Sequence, residues 1–281
     1  MATSDALQVI DLGLGDVEAG MALSSEAGWN QTGDDWHHFI GRGTAIGVRD
    51  GEGRLVASAA ALPYEGPFGF IGMVLVTPDW RRQGIATRLI DRCAETLKVL
   101  ELTPVLDATE AGEEVYRKQG FGPQFRFDRW ERAGSDEDFA ADLAKPEAQP
   151  DPNVITGLDA RAFGARRPCL IEDFMEREGT EVLCTPDEDG FAMVRRGRRA
   201  YQAGPVVAPS ERKALRLVEQ IASSVKGAVF IDVLSNWRET GERLAARGFK
   251  VQRSFARMAL GRAEPFGNPR HLFAVAGPEF G

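Results

Sequence analysis

Apolar residues in the first half of the chain follow two different periods. From residue 16 to 28 they keep helical spacing, with Val17, Met21 and Leu23 facing inward, until Gly28-Trp29-Asn30-Gln31 interrupts the pattern. A second short helix is expected over residues 34–40. Residues 44–48 and 55–62 read as strands on either side of Asp50-Gly51-Glu52-Gly53, which predicts a hairpin. Residues 68–76 form an almost unbroken apolar run that stops at Thr77-Pro78, as a buried strand would. A long amphipathic helix follows, with Ile85, Leu89, Cys93, Leu97 and Leu100 on one face. Residues 106–109 then read as a strand, a short helix ends at Gly120-Phe121, and 125–130 alternate as another strand.

The second half repeats this order in degenerate form. Val206-Val207-Ala208-Pro209 echoes Leu75-Val76-Thr77-Pro78. A helix over 211–225, with Leu215, Val218, Ile221, Ala222 and Val225 on one face, echoes the first long helix. Residues 229–233 echo 105–108, Leu244 to Gly248-Phe249 echoes Tyr116 to Gly120-Phe121, and 251–258 form the last alternating strand. Between the halves lies a stretch rich in acid, Pro and Ala, with room for a short helical turn at 136–144. The expected division is therefore a first domain at 1–133, a linker at 134–152 and a second domain at 153–281.

Composition narrows the possibilities. The 281 residues carry a net charge of −8, which argues against nucleic acid as the main partner. No apolar run reaches transmembrane length, so no membrane role is expected. The three cysteines, Cys93, Cys169 and Cys184, are widely spaced and odd in number. With an N-terminus unlike a signal peptide, they point to a reducing cytoplasm without disulfides or a zinc or other metal site. An acidic surface would suit a cationic acceptor through steering.

The stretch between Val76 and the long helix carries the clearest chemistry. Arg81-Arg82-Gln83-Gly84-Ile85-Ala86-Thr87 joins a strand to a helix N-terminus. There, unpaired backbone N–H groups and the helix dipole favour an anion. Gly84 and Ala86 keep side chains out of the way, while Arg81, Arg82 and Arg88 add positive charge. Neither the Gly-x-x-x-x-Gly-Lys-Ser/Thr loop nor the Gly-x-Gly-x-x-Gly loop is present. The Arg-x-x-Gly-x-Ala spacing resembles the pyrophosphate loop of the GNAT superfamily of acyl-CoA-dependent N-acetyltransferases. Its setting agrees: a Val-x-Val strand, a Pro two residues later, and a Tyr four residues before Gly120-Phe121. The chain is similar to tandem two-domain members of that superfamily, in Gly-Trp-Asn-Gln at 28–31, Met-Val-Leu-Val at 73–76 and Leu-Asp-Ala-Thr at 106–109.

The resemblance implies an α+β fold of two tandem GNAT-like domains, each a mixed, mostly antiparallel sheet flanked by helices. It implies acetyl-CoA as cofactor, its pantetheine arm along the strand at Met73, Val74, Leu75 and Val76, its pyrophosphate at residues 81–87, and Thr109 in the same binding set. It also implies transfer of the acetyl group to a primary amine of a small molecule or peptide. Tyr116, whose phenol holds its proton at neutral pH, is the expected general acid toward the departing thiolate. Trp29, Asn30, Gln31 and Asp107 are the expected acceptor-binding residues, with Trp29 equally readable as part of a helix cap. For a base, Glu65, Asp34, Asp35, Asp107, His37 and a water relay all stay open, and Asp107 is alternatively a helix cap. The second domain lacks the glycine turn and has Leu244 in place of the Tyr, so it is expected to bind no cofactor and to shape the acceptor site. The alternative is a non-catalytic acyl-CoA-binding module.

Overall fold

A computed structural model describes residues 8–134 and 150–281. They pack as two compact units, one containing the chain up to Tyr64 together with Phe68–Leu106, the other Glu65–Pro67 and Asp107–Gly281. Among the described residues no helix is long and apolar enough to cross a membrane.

The first unit contains β1 (Val9–Asp11), α1 (Val17–Glu26), α2 (Gly33–Arg42), β2 (Thr44–Arg49), β3 (Leu55–Pro63), β4 (Phe68–Val76), α3 (Ile85–Val99) and the start of β5 (Thr103–Thr109). The strands lie in the order β1-β2-β3-β4-β5, antiparallel except for β4 and β5. The predicted hairpin is β2–β3, and the Asp50 carboxylate closes its turn by accepting the N–H groups of Glu52 (3.0 Å) and Arg54 (2.9 Å). Helices α1 and α2 meet at the fully buried Trp36, whose indole N–H donates to Ser24 Oγ at 3.0 Å. A Cβ on Gly20 would come within 2.5 Å of the Trp36 ring, so the glycine sets how closely the two helices approach. Helix α3 buries Ile85, Leu89, Ile90, Cys93, Ala94 and Leu97. Leu100, expected on that face, falls beyond the last turn and is 52% exposed.

The second unit contains α4 (Glu110–Lys118), β6 (Phe121–Arg132), α5 (Pro152–Phe163), α6 (Pro168–Glu176), β7 (Glu181–Cys184), β8 (Phe191–Arg196), β9 (Tyr201–Val207), α7 (Glu211–Ser224), β10 (Val229–Leu234), α8 (Arg238–Ala246), β11 (Lys250–Leu260) and β12 (Leu272–Ala274). Its strand order is β11-β6-β10-β12-β9-β8-β7. The α7 core face is Ala214, Leu217, Val218 and Ile221; of the expected stripe Val218, Ile221 and Val225 are buried, while Leu215 and Ala222 are only half-buried.

Strand β6 is antiparallel to β10 on one edge and β11 on the other. Phe127 and Phe255 are directly opposite, their rings stacked 5.1 Å apart. Two residues beyond each phenylalanine stands an arginine that grips a buried aspartate with two hydrogen bonds. Arg129 reaches Asp232 (2.8 and 2.8 Å), and Arg257 reaches Asp107 (2.8 and 2.7 Å). The Phe-x-Arg echo of the last strands thus joins the aspartate echo of residues 107 and 232. Because second-half strands flank β6 on both edges, packing groups residues 107–134 with the second half, whereas composition suggests a boundary at 134–152. Residues 135–149, which hold most of that linker and its helical turn at 136–144, lie outside the described residues. Pro152 opens α5, capped by the Asp151 side chain.

Candidate active site

In the first unit the parallel ladder between β4 and β5 runs from Phe68–Thr103 to Ile71–Leu106 and stops. From Gly72 to Val76, β4 is laddered to β3, with Gly72 opposite Ala60 and Leu75 opposite Ser58. Three steps on β4 against two on β3 make a bulge at Met73 and Val74. Met73 adopts φ 53°, an uncommon left-handed conformation for a methionine, and Ser58 Oγ donates to its carbonyl at 2.8 Å.

The loop after β4 turns through a 3-10 segment at Pro78–Trp80. The Arg81 guanidinium donates to the Val76 carbonyl at 3.0 Å, and the Gln83 amide donates to the Asp79 carbonyl at 3.2 Å, so both side chains brace the loop from within. Arg82 (φ 60°) and Gly84 (φ 76°) are left-handed, and Gly84 is the N-cap of α3 with no side-chain cap. A Cβ at Gly84 would meet open space. The glycine therefore answers to the left-handed turn that starts α3 rather than to crowding.

The expected acceptor residues begin at the end of α1. Gly28 (φ 69°) donates its N–H to Ser25 O at 3.0 Å, and Trp29 donates to Ser24 O at 2.9 Å, a glycine-terminated helix cap. Trp29 is half-buried, while Asn30 and Gln31 are buried and the Gln31 Oε1 has no hydrogen-bond partner among the described residues. Asp35 is occupied at the N-terminus of α2, exchanging hydrogen bonds with Thr32. Asp34 is exposed at the same helix start, and His37 lies outward with Nδ1 2.9 Å from Gly33 O.

In the second unit, Thr109 rather than Asp107 caps α4, its Oγ1 accepting the Gly112 N–H at 3.3 Å. Burial raises the Asp107 carboxyl above its ordinary value against the opposing pull of Arg257. Both carboxylate oxygens accept hydrogen bonds from that guanidinium. Glu65 is paired with Arg166 at an exposed position. Tyr116 is half-buried, its ring leaning back over Gly112, where a Cβ would come within 3.0 Å of it. Burial raises the phenol above its ordinary value, so the proton stays on oxygen at neutral pH. Cys93 is a core residue whose thiol burial pushes up to about 12.

Sequence reading missed Arg257, Arg129 and Asp232. The signal was present in the repeated Phe-x-Arg of 127–129 and 255–257, but the aspartates they meet are 103 and 150 residues away, respectively.

Residues 20–121 match the model of the acetyltransferase (GNAT) family, and residues 155–274 match an acetyltransferase (GNAT) domain. The chain is 24% identical over 270 residues to the uncharacterized N-acetyltransferase YitH of Bacillus subtilis, covering 93% of this chain and 94% of that one. Among solved structures it is similar to a putative acetyltransferase from Pyrococcus horikoshii, with a TM-score of 0.79, 20% identity and coverage of 98% and 96%. It is also similar to a tandem GNAT protein from the clavulanic acid biosynthesis pathway, with a TM-score of 0.60, 17% identity and coverage of 90% and 98%.

Proposed function

We propose that this chain, which belongs to the GNAT acetyltransferase family in both of its halves, moves an acetyl group from acetyl-CoA to a primary amine of a small molecule or peptide. The observation that carries the reading is the bulged, half-laddered edge of Gly72 to Val76, leading through the left-handed Gly84 into the N-terminus of α3. An extended amide-bearing arm fits a strand edge, and a diphosphate fits a helix N-terminus.

In this proposal the N–H groups of residues 84–87 hold the pyrophosphate, with Arg82 and Arg88 adding charge at the loop. Arg81 and Gln83 keep the loop in shape. The backbone of Met73 to Val76 holds the pantetheine arm, and its N–H groups polarise the thioester carbonyl. When bound, acetyl-CoA supplies the activated acyl group. Tyr116 donates the proton that the thiolate takes up, and Thr109 holds the helix that carries it. Trp29, Asn30 and Gln31 contact the acceptor. Residues 1–133 supply the chemistry. Residues 153–281 bind no cofactor and shape the surroundings of the acceptor.

The test uses the full chain. Calorimetry with CoA should reach one site per chain, and thiol release from acetyl-CoA should depend on an added amine. Binding without thiol release across a broad panel of amines would instead favour a non-catalytic acyl-CoA-binding module.

A further inference from the structure

The second repeat has the same parted strands as the first, and there the gap is occupied. β9 and β10 pair in parallel from Tyr201–Val229 to Ala203–Ile231 and then separate. β9 carries the counterpart of the β4 bulge: Ala192 and Val194 of β8 face Val206 and Ala203, two steps against three. Into the opening runs β12. Leu272 and Ala274 pair with Val207 and Val206 on one side, and Ala274 pairs with Val233 on the other.

The fit is close on every side. Ala208 N–H donates to His271 O at 3.0 Å, and Val275 N–H donates to Asp232 O at 3.0 Å. Phe273 is fully buried and stacks on Trp237 at 4.2 Å, while the Trp237 indole donates to Leu272 O at 3.0 Å. Gly204, at φ 146°, is placed so that a Cβ would stand 2.0 Å from Val275 O. Leu244, which stands where the first repeat has Tyr116, belongs to the same buried cluster as Phe273 and Ala274.

The helix start is also closed. α7 begins directly after Ser210 with no left-handed glycine before it. Lys213, a basic residue of its first turn, is tied at 2.6 Å to both Asp187 and Asp189, and Glu211 accepts the N–H and hydroxyl of Thr240. The Lys213 charge is thus already matched by carboxylates.

We propose that β12 is a built-in occupant of the second repeat's cofactor slot, the chain's own strand standing where the first repeat would hold the pantetheine arm. This rests on the reading of the first repeat's edge as a cofactor slot. Backbone amides replace the amides of the arm, and Phe273 fills the space into which a catalytic side chain would project. Any acyl-CoA entering the second repeat would have to expel residues 272–275 first.

Hydrogen exchange on the full chain, with and without saturating CoA, tests this. Amides of 204–208 and 272–276 should exchange at least a hundredfold more slowly than an unstructured segment in the free protein, and CoA should leave them unchanged while protecting 72–87. Fast exchange at 272–276, or a change there on adding CoA, would overturn the proposal. Absence of protection at 72–87 would instead count against the reading of the first repeat, and slow exchange at 272–276 would still support an occupied gap. In Phe273→Ala, residues 204–208 and 272–276 should exchange at least tenfold faster together. If 272–276 accelerated while 204–208 stayed slow, β12 would not be what covers the slot.

Discussion

After Ile71 in the first repeat β4 stands with one edge vacated by β5, whereas after Ala203 in the second the equivalent edge of β9 is taken by β12. Around that difference the two halves keep the same strand bulge, the same Phe-x-Arg and the same buried aspartate. What one half has and the other lacks is confined to a few positions: Gly84 and its loop, Tyr116 against Leu244, and a strand in the gap. The framework belongs to apolar spacing and buried ion pairs. The proposed chemistry draws on what differs: the strand edge that β5 leaves after Ile71 and the glycine turn at the start of α3.

The largest effect should come from what the halves share. Removing one partner of a buried ion pair strands the other charge, at a cost of about 3–5 kcal/mol. Arg129→Ala and Arg257→Ala should each lower stability to urea by that order, and to a similar extent. A variant that lost less than about 1 kcal/mol would show that its pair is dispensable and the symmetry incidental.

The next effect separates the halves. Tyr116→Phe should lower turnover about a hundredfold with CoA affinity nearly unchanged, as loss of a general acid does. Turnover within a few-fold of the parent would assign the proton to another donor. Gly84→Val should weaken CoA binding by at least about tenfold, roughly 1.4 kcal/mol, because a β-branched residue resists a positive φ. Calorimetry on a folded variant with unaltered affinity would remove the loop from the cofactor site.

A pH profile tests the acid more gently. Burial raises the Tyr116 phenol above its ordinary value of about 10, so its protonated form persists further into alkali. The alkaline fall in turnover should come above that pH, and Tyr116→Phe should abolish it. At the far end of the scale, Lys213→Met should leave CoA affinity where it was, since Lys213 is committed to Asp187 and Asp189. A loss of binding there would mean the second repeat takes part.

Legibility followed locality. Strand β4 spans the residues expected of it because an apolar run ended by Thr-Pro leaves little choice, and the β2–β3 turn is written in Asp50 to Gly53. Leu215 was misplaced because Ala214 and Leu217 give an equally good stripe one residue away. Strand β12 left no trace, being three residues among glycines and prolines, and only the gap it fills makes it a strand. The grip of Arg257 on Asp107 was not readable because the two lie 150 residues apart, and the cap of α4 fell to Thr109 instead.

The position of β6 between β10 and β11 bears on how the chain is made. A polypeptide that has emerged from the ribosome only as far as residue 134 carries β6 with both hydrogen-bonding edges open and Arg129 without its aspartate. Its neighbours arrive about a hundred residues later, so the strand must wait, exposed, through most of the synthesis of the second half. In the cell this is the interval in which a partner that shields strand edges would matter most, and a chain terminated at 134 should aggregate rather than fold.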